Sequence, residues 1–319
     1  MILICNRELG VGYKQRTVRD NVSCTGIGLH SGEKARLTIK PAPPDSGIKF
    51  IRKDLSGHRV INVHFENVVN THMSTTIGIN GNKVSTIEHL MAAFFGFGID
   101  NAIVEIDGPE VPIMDGSSAP FIFLLKSVGI KELKKPKQFI VIKKTIKIQE
   151  GNRSIRIDPS KELKISFTID FHHPLINNQK YELSFSGRDF INEISRARTF
   201  GFLKDIQTLK EAGLAKGGSL DNAIVVDNFR ILNEDGLRYK DEFVRHKILD
   251  FIGDLAIIGS PIIGHFQVHK SGHSLNQAML KKLIANKRYW KKLTLEKPEE
   301  RTQNSVNIPV FGPLEHVPI

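Results

Sequence analysis

Glu88 stands beside His89, and His246 stands four residues before Asp250. Two imidazoles, a carboxylate and a spare glutamate are the inventory of a catalytic zinc centre: three protein ligands, a position open to water, and a general base next to one ligand. If the two stretches meet in space, the chain reads as a metal-dependent hydrolase. Each stretch also has a plainer reading. Ser85 and Glu88 have the spacing of a capping box, in which the glutamate serves the start of a helix. His246 and Asp250 could instead serve as a polar contact between two domains, although two acids and one histidine on one buried stripe favour a cation.

The elements that must carry these residues are legible. A helix is expected from about Thr86 to Phe95, with Ile87, Leu90, Met91 and Phe94 as its apolar stripe; Ala92 and Ala93 leave room beside His89. A second helix, near Asp241–Ile258, is apolar on most sides, and on it His246, Asp250 and Asp254 fall at i, i+4 and i+8. Carboxylates on a buried helix need a cation or several donors. Gly253 costs that helix ~1 kcal/mol relative to Ala, which points to close approach of another backbone or a ligand. In Ser271-Gly272-His273 the imidazole sits at an element end, where Asp254 could hold one ring nitrogen and make it a general acid. An exposed histidine in an N-cap turn fits those three residues as well. In Ser195–Phe202, Thr199 could donate to an oxyanion, or the stretch could be an ordinary loop with packed aromatics. In Met114–Phe121, Asp115 and Ser117 suit a helix cap. The glycines from Gly26 to Gly32 precede no helix, so they are not a dinucleotide fingerprint.

Further elements complete an α+β reading of two similar domains. Alternating strands run from Thr17 to about Ile79, followed after the first helix by a strand at Ala102–Ile106 and a helix near Ala119–Ser127. The lysine-rich stretch Lys131–Lys137 marks the boundary. Strands are expected at Phe139–Ile148, Ser154–Asp158, Leu163–Phe171, Lys180–Phe185 and Gly264–His269. Helices are expected near Arg188–Ser195, Asp205–Ala212 and Ser274–Asn286. The divisions are an extension at 1–12, a first domain at 13–135, a second at 136–296 and an irregular tail at 297–319. The five residues DNAIV occur at Asp100–Val104 and again at Asp221–Val225, a weak trace of duplication.

The 319-residue chain carries a formal net charge of +11, which favours an anionic partner. No stretch combines dense arginine with stacking aromatics, so most lysines read as a solvated surface. The two cysteines, Cys5 and Cys24, cannot build a disulfide framework or a cysteine-rich zinc knuckle. The apolar runs Ala92–Ile99 and Leu255–Phe266 are too short to span a bilayer. Met1–Gly12 is not a convincing signal peptide, and the chain reads as cytoplasmic. Charge alone would also suit a metal-dependent phosphoesterase or nuclease, although that would want clustered carboxylates for two metals and only Asp250 and Asp254 are at hand. A binding protein that keeps the fold without catalysis is a further alternative.

Taken together, TGIGLHSG (25–32), STIEHLMAA (85–93), GIDNAIVEIDGPEVPIMDGSSAPF (98–121), ISRARTFGF (194–202), NEDGLRYKDEFVRHKILDFIGDL (233–255) and KSGHSLN (270–276) resemble the UDP-3-O-acyl-N-acetylglucosamine deacetylases, zinc amidases of lipid A biosynthesis in Gram-negative bacteria. The resemblance runs in family order from Tyr13 to about Asn286. It implies two α+β domains, with helices between their sheets and the active site at the domain interface. It implies His89, His246 and Asp250 as ligands of one zinc ion per chain, with iron(II) as the alternative ion. Glu88 resembles the general base, His273 the second catalytic group, Asp254 its orienter, and Thr199 the residue that helps polarise the scissile carbonyl. Lys247 and Phe200 match substrate-contacting positions. The segment from Phe202 to Val225 matches the insert (near 199–225) that forms an acyl-chain tunnel, with Ile206, Ala215, Ser219, Ala223 and Val225 as lining. Lys216 falls in that segment and would have to snorkel to solvent or narrow the tunnel. The implied partner is a UDP-linked acylated amino sugar, bound by a monomer that touches the inner membrane only peripherally; no nucleic acid is implied. Met1–Gly12 precedes the usual family start and reads as an upstream start or a disordered leader.

Overall fold

The computed structural model describes residues 13–57, 59–295 and 306–313. The chain is α+β, with six helices among the described residues: α1 (Glu88–Phe97), α2 (Ala119–Val128), α3 (Gly187–Asp189), α4 (Leu203–Glu211), α5 (Glu242–Ala256) and α6 (His273–Ala285). In the first half, five strands lie in the spatial order Val22–Ile27, Lys34–Pro41, Ala102–Ile106, Ile48–Arg52 and Val60–Asn62. Ala102–Ile106 runs parallel to Ile48–Arg52, and the other pairs are antiparallel. Alternation does the sorting: Ala35, Leu37 and Ile39 are buried, while their neighbours Lys34 and Arg36 are exposed. A separate three-stranded sheet, Val68–Asn70, Thr76–Ile79 and Asn82–Val84, delivers the chain to α1.

In the second half a seven-stranded sheet centres on Ile262–His269. That strand pairs antiparallel with Arg153–Asp158 and parallel with Gln138–Ile142 and Leu163–Ile169. Alternating burial of Leu163, Ile165, Phe167 and Ile169 turns one face of the sheet toward α5, which packs on this strand and on Gln179–Ser184. α6 lies against Ile146–Glu150 and Arg153–Asp158.

α1 and α5 form the central helix pair. Every residue of α1 is buried, and α5 is buried along most of its length. Gly253 explains how closely they approach. A Cβ on Gly253 would fall 2.1 Å from the carbonyl oxygen of Glu88, so the backbone of α1 occupies the space a side chain would need.

Several expectations need correction. The lysine-rich stretch Lys131–Lys137, read as the boundary, contains a strand that sequence reading missed: Ile130–Pro136 pairs antiparallel with Lys14–Val18. Lys137 is buried, its Nζ donating to Gly98 O (2.8 Å) and Asp100 Oδ1 (2.6 Å). The chain changes sheets between Pro136 and Gln138. The expected strand Phe139–Ile148 is two strands, Gln138–Ile142 and Ile146–Glu150, broken at Lys143–Thr145. The expected helix near Arg188–Ser195 is α3 followed by a π-turn at Phe190–Ile194. Trp290–Thr294 is an unforeseen edge strand, with Leu293 alone buried among three lysine or threonine neighbours and a tryptophan. The two DNAIV segments are not equivalent: Asp100 is an ion-pair partner of Lys137, while Asp221 is exposed in a turn.

The described part of the tail, residues 306–313, is irregular as expected, with no helix or strand. Residues 306–313 pack into the fold, burying Ile308 and Phe311. Gly312 N–H donates to Gly96 O (2.9 Å), Gly187 N–H donates to Val310 O (2.7 Å), and the Arg16 guanidinium donates to Gly312 O (2.9 Å). Glycine at 187 is required by this approach, because a Cβ there would fall 2.2 Å from Gly312 N. Met1–Gly12 and the rest of the tail lie outside the described residues.

Candidate active site

α1 starts abruptly. Ile87 is its N-cap residue and contributes no side-chain cap. The capping box expected of Ser85 and Glu88 does not form. Thr86, at φ 57°, turns the chain through the left-handed region just before the helix. The Ser85 hydroxyl accepts from Thr76 Oγ1 (3.1 Å), and Glu88 is buried with Oε2 accepting the backbone N–H of Thr75 (3.0 Å). The Thr86 hydroxyl donates to buried Glu110 (2.7 Å), which also accepts the N–H groups of His30 (2.9 Å) and Ser31 (2.7 Å). That carboxylate ties the glycine-rich 26–32 loop to the start of α1.

The residues proposed from sequence as metal ligands converge. One nitrogen from each of His89 and His246 and one oxygen of Asp250 lie within 4.8 Å of one another, all buried. His89 comes from the first half of the chain, the other two from one stripe of α5. Nε2 of His89 and of His246 lie 3.4 and 3.3 Å from the same oxygen, Asp250 Oδ1. Burial holds the His246 imidazole near a pKa of about 4, hence neutral. Its one proton belongs on Nδ1, which faces the carbonyl of Ala197 at 3.0 Å. Nε2 therefore turns a lone pair toward a carboxylate oxygen, an arrangement that a cation between them resolves and that a hydrogen bond does not. Two imidazoles with one carboxylate suit a divalent ion such as zinc or iron(II). Burial works against the Asp250 charge, but the Lys247 ammonium beside it outweighs that and holds the carboxyl well below its usual range. Lys247 Nζ donates to Asp250 Oδ2 (2.6 Å), leaving Oδ1 to the cluster.

Two groups suited to proton transfer flank the cluster. Burial raises the Glu88 carboxyl to about 7, against the opposing pull of His273 and His89. Burial would lower His273, but the charge and hydrogen bond of Asp254 outweigh it and lift the imidazole to about 9. His273 Nδ1 lies 2.8 Å from Asp254 Oδ2, and its Nε2 faces Glu88 Oε1 at 3.9 Å. One buried carboxyl near neutrality and one buried imidazole above it have the chemistry of an acid–base pair. Asp254 is not a second metal ligand in waiting: it already accepts from Thr75, His273 and Asn276. That removes the carboxylate a two-metal phosphoesterase would need.

Thr199, half-buried, is fixed through its backbone, donating to Gly116 O (2.8 Å) and accepting from Ile224 N–H (2.8 Å). Phe200–Phe202 is a short strand parallel to Ile224–Val226, with Phe200 facing Ile224 and Phe202 facing Val226. The Phe200 ring lies 6.2 Å from that of His246, and Phe171 links it to Phe202 with centroid distances of 5.7 Å to each. Val225 is buried; Ala223, Ala215 and Ile206 are half-buried, Ile206 on α4, none of whose residues is fully buried. Ser219 is exposed and its hydroxyl accepts from Asp221 N–H (3.2 Å). Lys216 is exposed, so its charge does reach solvent.

The sequence model of the LpxC family, the UDP-3-O-acyl N-acetylglycosamine deacetylases, matches residues 15–285. The chain belongs to this family. A UDP-3-O-acyl-N-acetylglucosamine deacetylase of Myxococcus xanthus is 53% identical over 274 residues, covering 86% of this chain and 87% of that protein. Proteins of the same name from Teredinibacter turnerae and Methylococcus capsulatus are 52% and 51% identical, covering 90% and 89% of this chain and 95% and 94% of their own lengths. The deacetylase-family match ends at Ala285, the last residue of α6, so every candidate residue lies inside it and the 306–313 segment lies beyond it.

Sequence reasoning missed Thr75, Asn276 and Glu110, which build the hydrogen-bond frame around the proposed site residues. A faint signal existed for the first: Ser74-Thr75-Thr76 places three hydroxyl residues in a row, and all three are buried.

Proposed function

We propose that the chain is a zinc-dependent hydrolase that removes the N-acetyl group of UDP-3-O-((3R)-3-hydroxyacyl)-N-acetylglucosamine, giving acetate and UDP-3-O-acyl-glucosamine, an early committed step of lipid A biosynthesis. The observation that carries this reading is the buried His89–His246–Asp250 cluster with Glu88 and His273 beside it. His89, His246 and Asp250 would hold one zinc ion, with iron(II) as the alternative. When bound, the ion supplies Lewis acidity toward the amide carbonyl and lowers the pKa of water to about 7.

The other tasks fall to side chains. Glu88, with its carboxyl near 7, takes a proton from the attacking water. Thr199 donates to the oxygen that gains charge as the carbonyl becomes tetrahedral. His273, kept cationic by Asp254, offsets that charge; the leaving nitrogen takes its proton from His273 or from Glu88. The ammonium of Lys247 and the ring of Phe200 contact the nucleotide sugar. Phe202, Ile206, Ala215, Ser219, Ala223 and Val225 contact the acyl chain. A net charge of +11 suits a diphosphate. No helix among the described residues is long and apolar enough to cross a membrane. The protein acts as a cytoplasmic monomer whose acylated substrate brings it into peripheral contact with the inner membrane.

The test is acetate release from the UDP-linked substrate, with metal-free protein and after one equivalent of zinc. Activity restored by zinc is expected. No acetate from metal-loaded protein would overturn the reading and leave the chain a binding protein on this fold.

A further inference from the structure

Thr75 immediately precedes the strand Thr76–Ile79, far in sequence from the helices that carry His273 and Asp254, and is 1% exposed. All three of its polar groups are committed to the site. Its N–H donates to Glu88 Oε2 (3.0 Å), its carbonyl accepts from Ile87 N–H (3.3 Å), and its hydroxyl donates to Asp254 Oδ1 (2.6 Å). The hydroxyl oxygen also lies 3.3 Å from His273 Nδ1.

We propose that Thr75 is a positioning residue of the reaction: its backbone fixes Glu88 and its hydroxyl fixes the Asp254–His273 pair, so that one residue sets the spacing between the two groups that exchange protons with the substrate. The assignment of those groups rests on the deacetylase reading above. The hydrogen-bond inventory makes the case. An ionised carboxylate only accepts, so the hydroxyl proton of Thr75 points to Asp254 Oδ1. Oδ2 of Asp254 is taken by His273 Nδ1–H (2.8 Å) and by the Asn276 side-chain amide (2.7 Å). Both carboxylate oxygens are then held, one by Thr75 and the other by two residues of α6, and the carboxylate cannot rotate. The imidazole inherits that fixity, which points its Nε2 toward Glu88 Oε1, 3.9 Å away. Glu88 in turn is held through its other oxygen by the same threonine. Without the hydroxyl, Oδ1 of Asp254 would sit in a dry interior with no donor, and rotation of the carboxylate to find one would carry His273 away from Glu88.

The experiment compares Thr75→Val, which keeps the shape and the backbone bonds, with Thr75→Ser, which restores the hydroxyl. Both are assayed as zinc-loaded full-length protein beside wild type. Thr75→Val is expected to lose about 10- to 100-fold in kcat, the size of a lost hydrogen bond to a charged group, with KM and zinc stoichiometry unchanged. Thr75→Ser is expected to recover most of that loss. Wild-type kcat in Thr75→Val, or equal loss in both variants, would overturn the proposal. A second arm does not depend on activity: amide hydrogen exchange at Thr75 in Glu88→Ala. Exchange at least tenfold faster there, with Ile77 unaffected, is expected; unchanged protection would overturn the clamp even if the activity data agreed. An inactive wild type would overturn the deacetylase reading, and the exchange arm would then decide the clamp by itself.

Discussion

Gly253→Ala is the smallest change that tests how the helix pair serves the site. A Cβ on residue 253 would lie 2.1 Å from Glu88 O, 2.7 Å from Glu88 C and 2.9 Å from Glu88 Cα. All three are backbone atoms, so no side chain can swing aside. The helices must part by roughly 1 Å, given that packed interiors leave no slack to absorb it. Two energies then oppose each other. Alanine in a helix interior is favoured over glycine by ~1 kcal/mol, whereas forcing a methyl into a filled interface costs about 1–3 kcal/mol. The net loss of stability is small, about 0–2 kcal/mol by those two figures. The effect on turnover is larger, because the first turn of α1 carries both Glu88 and His89. Displacing a catalytic constellation by about 1 Å costs on the order of 100-fold in rate. The assay is kcat with the UDP-linked substrate, alongside a thermal melt and zinc stoichiometry. A slightly lowered midpoint with kcat down by about two orders of magnitude is expected. A variant with a raised melting point and wild-type kcat would refute the reasoning, since it would mean that α1 does not rest on α5 at this point.

The remaining predictions concern the ligands and the proton carriers. Glu88→Ala should retain one zinc per chain and lose turnover by about 100-fold or more; metal analysis with rate measurement checks it, and wild-type turnover would remove Glu88 as the base. His246→Ala should lose the metal, read by elemental analysis after dialysis, and a variant that keeps one zinc per chain would take His246 out of the ligand set. His273, lifted to about 9 in the folded protein by Asp254, contributes stability that is fully present below its ordinary unfolded value near 6.5 and is lost as pH rises through about 9. Denaturant melts of wild type and Asp254→Asn between pH 6 and 10 should show that decline in wild type and a weaker one in the variant; parallel curves would contradict the pairing.

Much of the candidate metal site was legible because its signals are local. His246, Asp250 and Asp254 lie on one stripe of an otherwise apolar helix, and burial forces such polar groups to find partners. Gly253 announced a close approach for the same reason, although not which backbone it meets. What could not be read is what long-range contact decides. Thr75 and Asp254 are 179 residues apart, and nothing in the local pattern pairs them. The capping box at Ser85 failed because Thr86 takes a left-handed turn, which no propensity for threonine foretells. Lys137 looked like surface because lysines usually are, yet its ammonium finds Asp100 and the last carbonyl beyond α1. The insert was placed from family resemblance alone: its short parallel strand pair has too few residues to show a period.

The segment 306–313 has a consequence for the order in which this molecule can be completed. Arg16 and Gly312 are 296 residues apart, and their hydrogen bond joins nearly the two ends of the described chain. A ribosome must therefore have reached residue 312 before the far end of α1 is sealed. Until then Gly98, Asp100 and Lys137 lack the Phe311 ring that covers them, 4.8 Å from the Lys137 ammonium. Contacts of such separation form late and slowly. The helix that begins with Glu88 and His89 is thus closed at its far end only by residues that emerge almost 300 positions after Arg16, whichever half of the chain folds first.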